Sequence, residues 1–215
     1  MARERKIAAL QNGSHSTDSR KGPPPVSDDW GITRAEALAL MEEFLDADAL
    51  RKHSLASEAI MRALAPRFGA DPDMWGLVGL LHDLDYNETK ELIVRHTLVT
   101  EKILLDRGVH PDIVEAIKYH NAGNLGLVRN KPIHFALIAA ETITGMLVAA
   151  TLVHPDKKLS SLKPKSVVKR MKAKEFARAV NREHIRLCEE IGLPLEEFII
   201  ISIDAMRGIS DQLGL

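Results

Sequence analysis

The chain has 215 residues, 45% of them hydrophobic and 4% aromatic, with 29 basic against 30 acidic side chains for a formal charge of -1. That balance gives no electrostatic argument for a nucleic-acid polymer or a membrane as the main partner. An aliphatic core suits packed helices better than sheets rich in aromatic and β-branched residues. The single cysteine, Cys188, excludes an intrachain disulfide and a thiolate metal site, and together with the lack of a secretory signal pattern it points to a cytoplasmic setting.

Residues 1–28 are polar and rich in Ser, Gly and Pro, which predicts a flexible leader because such a segment cannot offset the entropy of ordering. A helical core is expected over 29–155 and a helical extension packed on it over 156–215. Thr33 and Glu36 form a T-x-x-E capping box, a helix start. A second helix is expected from Asp48 to Phe68, stopped by Gly69 and carrying His53 near its start. Asp71 and Pro72 supply the cap and first residue of a third, which includes Trp75 as a core residue and runs apolar into His82 and Asp83.

Further along, Arg95 to Arg107 reads as a helix with His96 in its first turn and Gly108 at its end. Pro111 to His120 makes a shorter helix, ended by Asn121 and Gly123, and Lys131-Pro132 opens a long apolar one that contains Glu141. That helix is interrupted by Glu141, Thr142 and Thr144 and reads as core rather than as a membrane span. In the tail, Asn181 caps a helix to Ile191. The run LEEFIIISIDAMRGI is expected to be helical despite its β-branched stretch Ile199 to Ile203, because Phe198, Ile201 and Ala205 continue a helical stripe.

The doublet His82-Asp83 lies within LVGLLHDLDY, where a buried carboxylate is costly unless something compensates it. A divalent metal is one compensator, and His53, His96, His120 and Glu141 offer further ligands. Imidazoles with one or two carboxylates suit Fe, Mn, Co, Ni or Zn. The set exceeds what one tetrahedral ion needs and would serve two, with Asp83 as the bridge, since a carboxylate has two oxygens.

The order His53, His82-Asp83, then a carboxylate in AAETITG resembles the H…HD…D signature of the HD-domain metal-dependent phosphohydrolase superfamily. His96 and His120 match the extra histidines of its binuclear members, and the resemblance covers about Leu50 to His154. It implies an all-α fold, a single HD-domain helical bundle with additional C-terminal helices, acting on small phosphorylated molecules, often nucleotides. By that match His53, His82, Asp83 and Glu141 hold one ion, Asp83, His96 and His120 a second, and a water acidified by them is the nucleophile. Glu141 stands where the family has Asp, and Tyr86 of HDLDY where the cyclic-dinucleotide branch has Lys. His120-Asn121 replaces that branch's double histidine, so cyclic-dinucleotide hydrolysis is disfavoured.

The resemblance leaves open which group assists catalysis: Asp85, Lys90 and Arg51 are the candidates. It leaves open two other functions, a di-iron oxygenase with the same ligands and a regulatory module that binds metal without turnover. His15, His110, His134, His154 and His184 read as solvated or structural, and the lysine-rich stretch from Lys157 to Arg170 as a solvated face. The oligomeric state is not legible.

Overall fold

A computed structural model describes residues 30–215, so the leader expected over 1–28 lies outside the described residues. The described chain is all-α, with no strand among its elements. Helix α1 (Arg34–Phe44) starts on the capping box: Thr33 Oγ1 accepts from the Glu36 amide, and Glu36 accepts from the Thr33 amide at 2.8 Å. Helix α2 (Asp48–Leu64) tightens into a 3-10 turn, Ala65–Phe68, and stops at Gly69, whose φ of 60° a residue with a Cβ rarely adopts. Helix α3 (Pro72–Leu81) begins where the Asp71 side chain accepts from the Asp73 amide, while the Trp30 indole N–H donates to Asp71 at 2.9 Å. Trp75 is buried and stacks on Phe68, as its expected place in the core requires.

The contact between α2 and α3 sets the position of everything functional. A Cβ on Gly79 would lie 2.7 Å from the Ser57 carbonyl oxygen and 2.9 Å from the Glu58 amide nitrogen. The backbones therefore approach more closely than any residue larger than Gly at position 79 would permit. His53 on α2 and His82 at the end of α3 are drawn together by that approach.

After α3 come α4 (Leu98–Leu105), α5 (Pro111–Lys118) and the central α6 (Pro132–Leu152). By length and composition α6 would cross a membrane, yet 61% of its most apolar window is buried inside the protein. It packs on α2, on α8 (Arg182–Arg186) and on α9 (Leu195–Arg207), which follow α7 (Pro164–Lys172). The β-branched stretch in α9 is helical as expected. Phe198, Ile199, Ile203 and Met206 are buried in the common core, and burying each is worth about 1.5–3 kcal/mol against a propensity cost of a few tenths per residue.

Three boundaries differ from the sequence-based expectation. The segment from Arg95 is not one helix: a 3-10 turn, Ile93–Arg95, leads to an extended His96, and Thr97 has a left-handed φ of 71° before α4 starts. Helix α5 ends at Lys118, and the chain goes through the 3-10 turn Tyr119–Asn121 into a further turn, Ala122–Leu125, closed by Gly126 rather than Gly123. Asn181 caps as expected, but α8 stops at Arg186 and resumes only as the turn Glu189–Ile191.

Candidate metal centre

Asp83 follows His82, the residue that closes α3, and four imidazoles converge on its carboxylate. His53 and His82 approach Oδ2 through Nε2 at 3.8 and 3.5 Å, and His96 and His120 approach Oδ1 through Nε2 at 3.3 and 3.6 Å. Two groups result, His53, His82, Asp83 and Asp83, His96, His120, each with its ligand atoms within 4.8 Å of one another. His82, Asp83 and His96 are buried.

The far side of each ring decides what its Nε2 offers. His82 Nδ1 faces the Gly79 carbonyl at 2.8 Å, and a carbonyl only accepts, so Nδ1 carries the hydrogen. His96 Nδ1 faces Asp85 Oδ1 at 2.7 Å, with the same consequence. His53 Nδ1 meets Thr144 Oγ1 at 2.9 Å, and that hydroxyl already donates to the Glu141 carbonyl, so it accepts from His53. In the neutral imidazoles all three Nε2 atoms therefore present lone pairs, which for His96 requires the loss of a proton. His53 and His82 point theirs at each other across 3.2 Å, beside the oxygens of Asp83. A buried cluster of acceptors facing acceptors suits a cation, and imidazole with carboxylate is the donor set of a borderline divalent metal. The residues present fit such a group.

Electrostatics of the metal-free site agree. Burial pushes His53 down to about 4, reinforced by His82, and the charge of Asp83 only partly opposes it. Burial also drives His120 well below its ordinary value. His96 goes the other way: burial lowers it, but its bonds to Asp83 and Asp85 raise it to about 9. Burial would raise the Asp83 carboxyl, yet the surrounding imidazoles, His82 foremost, hold it far below the usual carboxylate range.

Glu141 stands apart from the five. Its carboxylate accepts from Thr142 Oγ1 and belongs to neither ligand group, although the charges of Asp83 and His96 reach it. Burial raises its carboxyl to about 8, opposed by Thr142 and reinforced by Asp83. Asp85, expected among the catalytic candidates, takes a different place. It is buried behind His96, with Oδ2 accepting from the Thr100 amide at 3.0 Å, so it orients an imidazole and touches no open space. Lys90 is exposed and, among the described residues, has no side-chain hydrogen bond or ion pair that would hold it at the site. Arg51 donates to the carbonyls of Leu45 and Glu42 and closes the end of α1.

The remaining histidines within the described residues are structural, as expected. His110 caps α5 by accepting from the Asp112 amide. His134 is buried and stacked on Tyr119 at 4.0 Å, and His154 bonds Asp156 at 2.7 Å. His184 is half-buried on α8, and the lysines from Lys157 to Lys169 are exposed. The sequence reading missed Thr144, the Gly79 carbonyl and Arg129, whose guanidinium donates to the Tyr119 and His120 carbonyls at 3.1 and 3.0 Å. Thr144 had a weak signal in its place one turn from Glu141, and an isolated Arg in a polar loop gives none.

Searches of curated proteins and of solved structures returned no match. The family model described as HD domain matches residues 50–187, which takes in all five converging residues and Glu141. With more than half of its length matched and its histidines gathered around the Asp of the doublet, the chain belongs to the HD domain family.

Proposed function

We propose that the protein is a metal-dependent hydrolase of phosphate esters on small molecules, with nucleotides as the leading candidates. The observation that carries the reading is the set of anchored imidazole lone pairs turned toward one bridging carboxylate. His53, His82 and Asp83 would hold one ion, and Asp83, His96 and His120 a second. Divalent ions so held would acidify water and neutralise charge on a phosphoryl group.

The protein's own contribution is rigidity. Gly79, Thr144 and Asp85 fix three rings from behind, so their donor atoms need no reorganisation when ligands arrive. Burial of Asp83 keeps water from screening its charge. The family match supports a phosphohydrolase at the level of the superfamily, and the substrate is inferred from chemistry alone.

The test is to load the full chain with Mn, Co, Fe or Ni, count the metal, and screen phosphomonoesters and nucleotides. Phosphate release that disappears, together with the metal, in Asp83→Ala is the expected result. A protein shown to be metal-loaded yet inert toward every phosphate ester would overturn the reading, and dioxygen consumption by the iron form would replace it with an oxygenase.

A further inference from the structure

Arg129 sits in the loop before α6 with its guanidinium tied to the backbone of a metal-group residue: Nε donates to the Tyr119 carbonyl and Nη2 to the His120 carbonyl. Nη1 makes no hydrogen bond to a described residue, which leaves part of the guanidinium fork unspent. The residue is half-buried. Arg51 and Arg182 are likewise partly buried and held by main-chain carbonyls, but those carbonyls belong to residues outside both ligand groups, whereas Arg129 is bonded to His120; among the described residues no acidic side chain lies within ion-pair distance of Arg129. Glu141 acts on it only at longer range, and burial holds the guanidinium below its ordinary value.

A half-buried cation without its anion is costly to keep, and such positions gather at binding sites. Its surroundings give the cost a purpose. Nη2 lies 3.0 Å from the carbonyl of His120, whose own Nε2 approaches Asp83 Oδ1 at 3.6 Å, so a single residue separates the guanidinium from the carboxylate shared by both ligand groups. The exposed lysines from Lys157 to Lys169 offer no comparable fixed donor.

We propose that Arg129 is the anion-binding arm of this site, taking a second acidic group of the substrate, a carboxylate or another phosphate, apart from the phosphate at Asp83. The assignment rests on the phosphohydrolase reading and narrows it: the preferred substrates carry two separated negative groups. A planar fork fixed by two carbonyls presents its remaining N–H groups in one orientation, which suits a paired-oxygen acceptor.

The test compares ligands that differ only in that second group. Calorimetry on the Mn-loaded full chain measures glycerol 3-phosphate against 3-phosphoglycerate, and a nucleoside 5′-monophosphate against its diphosphate. The wild type is expected to bind the doubly acidic member of at least one pair about tenfold more tightly, in line with a charge-assisted hydrogen bond. Which pair shows the preference identifies carboxylate or phosphate as the second group. In R129Q the preference should vanish, and in R129K only part of it should remain. Metal content should be unchanged in both, while the melting temperature falls by a few degrees in R129Q as the bonds to the Tyr119 and His120 carbonyls are lost.

An R129Q protein that keeps the full preference overturns the proposal, as does a wild type that binds phosphate with no preference in either pair. Loss of metal together with both members of a pair would make Arg129 a strut for His120 and overturn it as well. A metal-replete wild type that binds none of the four ligands would bring down the phosphohydrolase reading itself, and the arm with it.

Discussion

Asp83 is the carboxylate common to both ligand groups, and its neighbours are held by bonds that reach it only through imidazole rings. Asp85 is the clearest case, because its two oxygens are spent on His96 Nδ1 and the Thr100 amide. Asp85→Asn keeps the shape and removes the charge that fixes the ring, so metal affinity should drop about 10–100-fold. The helical spectrum should not change, and titration of the metal-free protein with Mn or Co reads the difference. The same residues predict the response to pH. His96 is raised from 6.5 to about 9 in the folded, metal-free protein. Its pairing therefore contributes stability that is complete below pH 6.5 and gone above about 9. Glu141, raised from 4.5 to about 8, shifts stability in the same direction, whereas His53, lowered to about 4, removes stability only as pH falls below 6.5. The melting temperature of the chelated protein should therefore fall between pH 6.5 and 9. Metal affinity should rise over the same interval, because a ligand must lose its proton to bind. Calorimetry near pH 7 in buffers of different ionisation enthalpy counts the protons released. Uptake should displace the His96 proton, and a smaller proton count in Glu141→Gln would mean that Glu141 has joined the ligands.

Helix α3 depends on α2 through Gly79, whose absent side chain permits the close approach and whose carbonyl anchors His82. Gly79→Ala would force a methyl group against the Ser57 carbonyl and the Glu58 amide. Overpacking of this kind costs about 1–3 kcal/mol, and the melting temperature should fall by several degrees. Because the shift also parts His53 from His82, metal affinity should fall further than in a surface Gly→Ala control, and equal losses in both would sink this account. The elements legible in the sequence are those with a local stop or start: the Thr33 and Glu36 box, Gly69, the Asp71-Pro72 start and the Asn181 cap. The break at His96 and Thr97 was not legible, because remote contacts impose it. The Asn121 side chain donates to the carbonyls of Ile93 and His96 at 2.7 and 2.9 Å, and Asp85 and Asp83 hold the ring. For the site, the order of histidines around the doublet pointed to the five residues that converge. The direction in which Asp85 and Glu141 face was hidden, since hydrogen bonds to Thr100, Thr89 and Thr142 set it, and no pattern in the chain announces those partners.

Across the whole molecule, stability and function are carried by different parts. The buried aliphatic core joins α2, α3, α6 and α9 without help from the site. The turn Ile93–Arg95 buries no residue, with Leu92, Ile93 and Val94 all among the exposed large hydrophobic residues, and in Tyr119–Asn121 only Asn121 is fully buried. Segments of that kind open at far lower free energy than a core helix. Each turn leads into or contains one ligand, His96 or His120, whereas His53 and His82 belong to the rigid α2 and α3. Metal bound in both groups would therefore pin two loose turns to a firm pair of helices. Chelation should leave the far-ultraviolet spectrum of the full chain intact. At a hundredfold excess over Kd the metal should stabilise the protein by about 2.7 kcal/mol, or about 5–11 °C in Tm for a chain of this size. Hydrogen exchange locates the effect. Amides of 92–97 and 119–125 should exchange at least about tenfold faster after chelation, since each tenfold is about 1.4 kcal/mol of local opening, while those of α2, α6 and α9 stay protected. Faster exchange spread evenly over all helices would mean that the metal supports the core itself, and that the division between a self-sufficient core and two metal-pinned turns is wrong.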